Sequence, residues 1–413
     1  MRLLIVSQYF HPENFRINEL VRDLAAAGHQ LTVVTGKPNY PDGKLFPGYR
    51  ALGVQRDVYE GAEVVRLPLV PRGRRSGLRL AINYLSFVLS GYLLAPLALH
   101  GRTFDAVFVY APSPLLQALP AVFLAWLRRA PLIVWVQDLW PESLAATGYV
   151  RNRILLRLVE AVVRYIYRHT DSILIQSEGF RAPIARLVLD PRRVRYYPNS
   201  AEAIFGALDE GEGGGELPAA IRRRFSIVFA GNIGSAQAVA TIVDAAELLA
   251  GRPEIHFFLV GSGSESAWVE SEVQRRKLRN LTLTGRLPVT DMPAIFSAAS
   301  ALLVSLKDEA IFAYTIPGKI QSYLAVGRPI IAAVNGEGAR VIADAGAGIT
   351  CPAENARALA DAVLQLFAMP AEQRARLGEN GRRYFLAHFE QGRLVDELVR
   401  HIDAVIAAGG ATQ

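Results

Sequence analysis

Hydrophobic and polar positions along the first half of the chain alternate between two kinds of stretch. Short apolar runs such as "LLIVSQYF", "QLTVVTG", "AVFVYA", "PLIVWVQD" and "SILIQS" are typical of buried strands. Between the first two lies "NELVRDLAAAGH", whose apolar residues recur every three or four positions, and this predicts an amphipathic helix ending at Gly28. Strands that alternate with helices predict a parallel sheet covered on both faces.

The second half repeats this pattern and predicts a second sheet. Its apolar runs are "FSIVFAGNIG", "IHFFLVGSGSE", "LTLTGRLP", "ALLVSLKDE", "PIIAAVNG" and "AGITCP". We predict an α/β protein with two Rossmann-like, doubly wound parallel-sheet domains at 1–200 and 225–389, joined by a Gly- and Glu-rich linker at 201–224. An amphipathic helix at 390–410 is expected to join the first domain. Ligands should bind in the cleft between the domains, at the carboxyl ends of the strands.

Composition narrows the class of protein. The chain has 413 residues and one cysteine, Cys351, so an intrachain disulfide and a cysteine-built metal site are excluded. The N-terminal apolar run is too short for a signal sequence, and we expect a cytoplasmic location. The seven histidines show no metal-ligand spacing, so neither a metal nor any other cofactor is expected.

One uncharged apolar stretch, residues 80–99, indicates a membrane partner. Four arginines lie just before or at its start: Arg72, Arg74, Arg75 and Arg79. Because arginines beside an apolar segment suit an anionic bilayer, we favour a monotopic helix at 72–99, peripheral on the inner face of the cytoplasmic membrane. A buried core helix and a true span are the alternatives. Nucleic acid is not expected, because the basic residues do not interleave with exposed aromatic residues.

Glycine-rich turns follow the strands of the second half. The first turn consists of Gly231, Asn232, Ile233 and Gly234, and the next strand ends at Gly261 and Gly263. Such a turn before a helix predicts that backbone N–H groups and the helix dipole hold an anion. A plain strand-to-helix connection is the alternative. The full dinucleotide fingerprint and the P-loop motif are both absent.

Lys319 is the candidate for the positive charge at that anion site. It follows Pro317 and Gly318 in the first turn of a predicted helix. The helix dipole disfavours a cation at this position unless the cation neutralises a bound anion. Arg286, after another strand of the second half, would assist. A solvated lysine is the alternative reading.

Polar and aromatic residues follow the strands of the first half instead. The candidates for binding hydroxyl groups and sugar rings are Glu13, Asn39, Tyr40, Asp138, Trp140 and Glu142. Asp138 follows an almost fully apolar strand, and its carboxylate is expected to point into the cleft. The same residue types also form turns. The sequence contains no D-x-D pair for a metal and no G-x-S-x-G nucleophile motif.

Several phrases together resemble glycosyltransferase family 4. They are "SQYFHPENFRINEL", "TGKPNYPDGKLFPGY", "WVQDLWPESL", "GNIGSAQ", "VGSGSE" and "IPGKIQSYLAVGRPIIA". The resemblance is to enzymes of the two-domain GT-B fold that build bacterial O-antigen, colanic acid and capsule, including L-fucosamine and fucose transferases. It implies retaining transfer, without a metal, from a nucleotide-diphosphate sugar held by the second domain. The acceptor would be a polyprenyl-diphosphate-linked sugar near the first domain.

The chain departs from the wider family at five positions. Asn232 and Gln237 stand where many members have arginine and lysine, Tyr314 and Ser322 where they have a glutamate pair, and Gln137 where they have histidine. Because charged residues of the wider family are absent at these positions, Lys319 becomes the candidate for neutralising the diphosphate. The donor-binding set that we expect is Gly231, Asn232, Ile233, Gly234, Gln237, Gly261, Gly263, Arg286, Leu287, Lys319 and Ser322.

The expected catalytic groups are Lys319 for the departing diphosphate, with Asp138 and Glu13 near the sugar or the acceptor hydroxyl. Asn39, Tyr40, Trp140 and Glu142 form the expected acceptor-binding set. Two other functions remain open on the sequence: a nucleotide-sugar epimerase of GT-B shape, and a non-catalytic, membrane-associated sugar-binding protein.

Overall fold

A computed structural model describes residues 1–73, 77–146, 152–205 and 215–410. The described residues divide into two compact units. The first is Met1–Pro198 together with the stretch from Gly392 onward, and the second is Asn199–Gln391. Arg74 and Arg75 of the expected membrane segment lie outside the described residues.

The first unit is built on an eight-stranded sheet with the order β3-β4-β2-β1-β5-β6-β7-β8. All neighbouring strands are parallel except β3 and β4, which pair antiparallel. The strands are β1 (Arg2–Val6), β2 (Gln30–Gly36), β3 (Gln55–Tyr59), β4 (Ala62–Leu67), β5 (Ala106–Ala111), β6 (Leu132–Val136), β7 (Ser172–Ile175) and β8 (Val194–Tyr196).

Helices cover this sheet because their apolar stripes pack on its fully buried strands. They are α1 (Ile17–Ala26), α2 (Gly77–Leu93), α3 (Ala95–Ala98), α4 (Ala118–Arg128), α5 (Glu142–Ala146), α6 (Arg153–Arg168) and α7 (Arg181–Ala185). Short 3-10 helices occupy Leu115–Gln117, Glu178–Phe180 and Pro191–Arg193. Strand order reverses between β1 and β5, which is where doubly wound sheets bind ligands.

The second unit contains a fully parallel sheet with the order β11-β10-β9-β12-β13-β14. Its strands are β9 (Phe225–Ala230), β10 (Ile255–Val260), β11 (Leu281–Gly285), β12 (Ala301–Ser305), β13 (Ile330–Ala333) and β14 (Gly348–Cys351). Two apolar cores lie on its two faces. Strand order reverses between β9 and β12, so the sequence prediction of two doubly wound parallel-sheet domains is confirmed.

Nine helices belong to the described part of this unit. They are α8 (Glu216–Arg222), α9 (Val239–Leu248), α10 (Ser266–Arg275), α11 (Met292–Ala298), α12 (Ala310–Ala313), α13 (Gly318–Val326), α14 (Glu337–Ala345), α15 (Ala356–Ala368) and α16 (Ala371–His388). Short 3-10 helices occupy Ala203–Phe205, Ser235–Gln237 and Val289–Asp291. Helix α17 (Gln391–Gly410) follows and packs Leu394, Leu398 and Ile402 into the core of the first unit.

The segment expected to be a linker is partly folded. Phe205 and Ile221 are buried in the core of the second unit, and the ring of Phe205 stacks on that of Phe296 at 5.4 Å. Residues 206–214 of the segment lie outside the described residues. The described ends of the segment therefore belong to the second unit, because each end carries apolar side chains that the core takes up.

Candidate functional site

Three glycine-containing loops pack on one another at the carboxyl ends of β9, β10 and β11. The N–H of Gly231 donates to the carbonyl of Val260 at 2.9 Å, and the N–H of Gly261 donates to that of Gly285 at 2.9 Å. A Cβ atom on Gly261 would lie 1.9 Å from the Gly231 carbonyl oxygen, and φ of Gly261 is +142°. Close loop packing therefore requires glycine at this position, whatever ligand the loops hold.

The 231–234 turn has fewer free N–H groups than expected. Besides that of Gly231, the N–H of Ile233 donates to Ser262 at 3.1 Å, and that of Gly234 to Oε1 of Gln237 at 3.2 Å. Helix α9 begins only at Val239, after a 3-10 turn and a left-handed residue. The sequence predicts that N–H groups of this turn face an anion at a helix N-terminus, but the helix starts later, and loops and a side chain accept from three of the four N–H groups.

Lys319 lies beside this turn, at the start of α13. Its Nζ is 3.8 Å from the centre of the Phe229 ring, and 3.4 Å from where a Cβ of Gly231 would be. The helix is docked on β9, since the N–H of Ala230 donates to the hydroxyl of Tyr323 at 3.1 Å. The structure therefore brings Lys319 and the glycine turn together. Phe229 and Tyr323 were not singled out from the sequence.

The ammonium group of Lys319 is buried without an acceptor among the described residues. The residue as a whole is partly exposed, whereas Nζ itself is not. Burial lowers the pKa of Lys319 to about 7. Since desolvation disfavours the charged form, an anion placed here would restore the charge and gain a strong hydrogen bond.

The remaining expected donor residues are placed differently. Gln237 accepts from the side-chain amide of Asn232 at 3.1 Å as well as from Gly234, so it holds the turn together. Arg286 is exposed just beyond β11, Leu287 packs on the core, and Ser322 is buried within α13.

Glu13 ties two loops of the first unit together. Its Oε1 accepts from the N–H groups of Asn39 and Tyr40, each at 2.7 Å, and its Oε2 accepts from that of Phe10 at 3.3 Å. Burial raises its pKa to about 7, although the backbone hydrogen bonds act in the opposite direction. The carboxylate joins the loop after β1 to the loop after β2, and its oxygens are used within the protein.

The loop after β2 presents one exposed aromatic ring. Asn39 is fully buried, donates to the Lys37 carbonyl at 2.9 Å and accepts from the N–H of Arg72 at 3.0 Å, so its side chain is not directed at a sugar. Tyr40 is 38% exposed, and the Arg72 guanidinium lies 5.0 Å from its ring centre. Of this pair, Tyr40 is the one with an exposed side chain.

Asp138 follows β6 and is held by polar side chains. Burial raises its pKa, whereas hydrogen bonds with Ser143, Ser113 and Trp140 oppose that rise. Trp140 is 4% exposed and donates from Nε1 to Oγ of Ser113 at 3.0 Å, so it supports the site and is not a stacking platform. Ser113, at the end of β5, was not predicted, because a serine between two prolines reads simply as a turn.

Two cavities of the first unit differ in their relation to these residues. Glu142 borders a cavity of about 360 Å³ together with Arg164 and Arg186. A larger cavity of about 840 Å³ lies at the amino ends of β5 and β6, beside α17, and none of the expected site residues lines it. Among the described residues no group of His, Cys, Asp and Glu could hold a metal ion.

Helix α2 turns Asn83 and Ser90 inward and most of its leucines outward. Asn83 donates to the Val70 carbonyl at 2.6 Å and accepts from the side chain of Gln8 at 2.8 Å, while Ser90 donates to Pro68 at 2.6 Å. The exposed side of the helix carries Leu78, Ile82, Leu85, Leu89 and Leu93. This arrangement does not fit a buried core helix. In the described residues no helix has the length and apolarity needed to cross a membrane.

Comparison with known protein families gives matches in both halves. The model described as "Glycosyl transferase 4-like domain" matches residues 14–200, and "Glycosyl transferases group 1" matches residues 224–369. WcaI of Escherichia coli, described as a colanic acid biosynthesis glycosyl transferase, is 27% identical over 79% of this chain and 82% of its own length. O-antigen chain mannosyltransferase C of Escherichia coli is 30% identical over 38% of this chain and 41% of its own.

Solved structures match nearly the whole length of the chain. Sucrose-phosphate synthase from Thermosynechococcus elongatus gives a TM-score of 0.75 at 19% identity, covering 98% of this chain and 99% of its own. HepE of Anabaena in complex with UDP gives 0.69 at 12% identity, covering 98% and 100%. With both family models matched, the chain belongs to glycosyltransferase family 4, in the branch with relatives in polysaccharide biosynthesis, and is a glycosyltransferase of the GT-B fold.

Proposed function

We propose that the enzyme transfers a sugar from a nucleotide-diphosphate donor to a polyprenyl-diphosphate-linked sugar, with retention of anomeric configuration, during assembly of a cell-surface polysaccharide. One observation carries the donor side of this proposal: the ammonium of Lys319 is buried beside the Gly231 turn and lacks an acceptor among the described residues. A cation in that state is stabilised when an anionic ligand arrives.

The departing diphosphate is the anion that fits. As the glycosidic bond breaks, negative charge grows on the diphosphate, so a preorganised cation binds the transition state more tightly than the ground state. Lys319 supplies that charge where the wider family uses other positions. Arg286 is exposed just beyond β11, and we propose that it assists Lys319 from that loop.

Asp138 is the group we propose at the acceptor or the sugar. Its carboxylate lies at the carboxyl end of β6 with a raised pKa, and Ser113, Ser143 and Trp140 fix its orientation. It orients the acceptor hydroxyl or stabilises positive charge on the sugar. Glu13 supports the loops instead, because backbone N–H groups occupy both of its oxygens. Tyr40 offers the sugar-stacking face.

We propose that α2 docks the enzyme on the inner face of the cytoplasmic membrane, where a polyprenyl-linked acceptor is held. The outward leucines of α2 would enter the interfacial region, with Arg72 and Arg79 near the lipid phosphates. Asn83, Ser86 and Ser90 fit this arrangement, because their side chains form hydrogen bonds with Val70 and Pro68 that hold the helix against the protein.

Binding and transfer are tested separately. A thermal-shift panel of UDP, GDP and ADP sugars identifies the donor, because a ligand bound only by the folded state raises its stability. The panel begins with UDP sugars, since the HepE structure contains UDP. Nucleotide release is then measured with a polyprenyl-linked sugar acceptor and anomeric products are assigned by NMR.

The outcomes separate three functions. Acceptor-dependent nucleotide release with a retained linkage supports the proposal. Isomerised donor without acceptor would assign an epimerase, and donor binding without turnover on every acceptor would assign a binding protein. A product with inverted linkage would overturn the retaining part alone.

A further inference from the structure

Helix α6 has an apolar face directed away from its own core. The buried side contains Val163, Ile166 and Tyr167. The opposite side carries Ile154, Leu158, Ala161 and Tyr165, all exposed, and their spacing of four, three and four places them on one stripe. A surface helix normally turns polar residues outward, so an outward apolar stripe requires a partner.

Arginines run along one side of that stripe. Helix α6 contains Arg153, Arg157, Arg164 and Arg168, and its one acidic residue, Glu160, pairs with Arg164 at 2.6 Å. Apolar side chains bordered by arginines match an anionic lipid surface, where the stripe enters the acyl boundary and the guanidinium groups reach the phosphates. A second copy of the protein would need acidic groups that pair with the same arginines.

The stripe is continuous with α2 through α4. The ring of Tyr92 on α2 lies 5.5 Å from that of Phe123 on α4, which lies 6.0 Å from Trp126. Helix α4 packs against both α2 and α6 and so connects the stripe to α2. Trp126 is 73% exposed, and tryptophan is enriched at membrane interfaces.

We propose that α6 and Trp126 form a second lipid-contact element, beside α2, on the anionic face of a bilayer. This inference rests on the membrane docking proposed for α2. A single interfacial helix leaves rotation about its axis unrestrained, whereas a second one fixes which edge of the first unit faces the lipid. The two elements together would set the distance between the carboxyl ends of the strands and the membrane surface where the acceptor is held.

The test replaces two exposed residues of the stripe in the full-length enzyme. Ile154→Asp/Leu158→Asp is compared with Leu52→Asp/Leu189→Asp, which adds the same charge at two exposed leucines elsewhere in the first unit. Flotation is measured with equimolar phosphatidylglycerol and phosphatidylcholine vesicles and with phosphatidylcholine alone. We expect the α6 variant to bind the anionic vesicles about tenfold more weakly, with the control variant unchanged.

Other results separate this inference from the proposed function. Equal flotation of the α6 variant and the control would overturn the α6 element. If Leu85→Asp/Leu89→Asp on α2 then still abolished flotation, the α2 docking would stand. Failure of the wild-type enzyme to float would overturn both.

The oligomeric state provides a further test. If the lipid-free enzyme is a dimer and the α6 change converts it to a monomer, the face belongs to an interface with a second copy, against the inference. A normal donor-induced thermal shift shows that each variant is folded.

Discussion

Each of the two units buries a lysine at the carboxyl end of its sheet, and the two lysines differ in what surrounds the nitrogen. Lys37 follows β2 and donates from Nζ to Oε1 of Gln55 at 3.1 Å. Lys319 has a phenyl ring and a glycine turn around its Nζ and no acceptor among the described residues. Burial lowers the pKa of both.

Glu13 extends the comparison to a carboxylate. Its pKa is raised to about 7, close to the value for Lys319, yet the protein itself provides three hydrogen bonds to its oxygens. A displaced pKa therefore does not separate a structural group from a ligand-binding one. The useful distinction is whether the hydrogen-bond partner lies inside the protein or has to be supplied by a ligand.

Replacing Lys319 gives the largest expected effect. Lys319→Met keeps the apolar stem and removes the charge, so we expect the transfer barrier to rise by about 2 to 4 kcal/mol, read from kcat/KM. The donor-free protein should melt at an equal or higher temperature, because an unpaired buried cation has been removed.

Lys37→Met is the matched control for this prediction. It removes a buried lysine whose nitrogen already has a partner in the first unit, so the donor-induced thermal shift should remain. If both variants lost the donor response equally, or if Lys319→Met kept normal turnover, the contrast between the two lysines would be wrong.

Replacing Glu13 should lower the stability of the protein, whereas replacing Lys319 should slow sugar transfer. Glu13→Ala leaves three buried N–H groups without their acceptor, and we expect the free energy of unfolding in urea to fall by about 1 to 3 kcal/mol. Donor affinity should stay within about twofold of wild type. A selective loss of kcat with unchanged stability would instead place Glu13 at the reacting atoms.

The pH dependence of that stability has a definite sign. The pKa of Glu13 is raised in the folded state from 4.5 to about 7, so its contribution is complete below pH 4.5 and is lost as the pH rises to about 7. Measured against Glu13→Gln, which cannot ionise, the wild-type free energy of unfolding should decline across this interval. A flat difference would show that the carboxyl titrates normally.

The sequence predicts the two sheets well because their strands are nearly continuous apolar runs. β1 and β9 are examples, with interiors fully buried. The hairpin of β3 and β4 was not predicted, since β3 alternates half-buried with exposed residues and forms the edge of its sheet. Its signal is the turn at Glu60 and Gly61, both with positive φ.

Site residues are less predictable because their roles depend on contacts between distant loops. The sequence places Lys319 at a helix start and Gly231 at a strand end, but only the fold shows Nζ near that glycine. Asn39 and Trp140 look like sugar-binding residues in sequence, yet both are buried and hydrogen-bonded within the first unit. Burial of a polar loop residue is a tertiary property that local sequence does not encode.

Donor affinity should depend on pH through Lys319. With a pKa of about 7 in the free enzyme, the lysine loses its proton as the pH rises, and an anionic donor must restore it. We expect the affinity for the nucleotide sugar to weaken by up to about 1.4 kcal/mol per pH unit above 7. Titration calorimetry in two buffers of different ionisation enthalpy should show proton uptake, which Lys319→Met should abolish and Lys37→Met should retain.

The same lysine makes the donor-free enzyme more stable in alkali. Because the pKa of Lys319 is lowered from 10.5 to about 7, the unfolded chain binds more protons between these values, and the free energy of unfolding should rise across them. Comparison with Lys319→Met isolates this contribution from other titrating groups. Equal slopes for the two proteins would contradict the buried ammonium.

Replacing Ser113 gives the smallest expected effect. It tests Asp138, which lies between Glu13 and Lys319 in how far the protein provides its hydrogen-bond partners. Asp138 receives hydrogen bonds from side chains. It therefore differs from Glu13, whose oxygens accept from backbone N–H groups, and from Lys319, whose Nζ has no acceptor in the described part of the chain. Ser113→Ala removes one such bond and also the acceptor of Trp140 Nε1, so we expect a loss of about 0.5 to 1.5 kcal/mol in transition-state stabilisation.

The pH profile distinguishes positioning from packing at Ser113. Losing a hydrogen bond to the charged form raises the pKa of Asp138 further, so the acid limb of the kcat/KM profile should move to higher pH. Ser113→Thr keeps the hydroxyl and should restore the wild-type limb. A drop in kcat/KM with an unmoved limb would mean that Ser113 only packs against Trp140, and Asp138 would then resemble Glu13 more than Lys319.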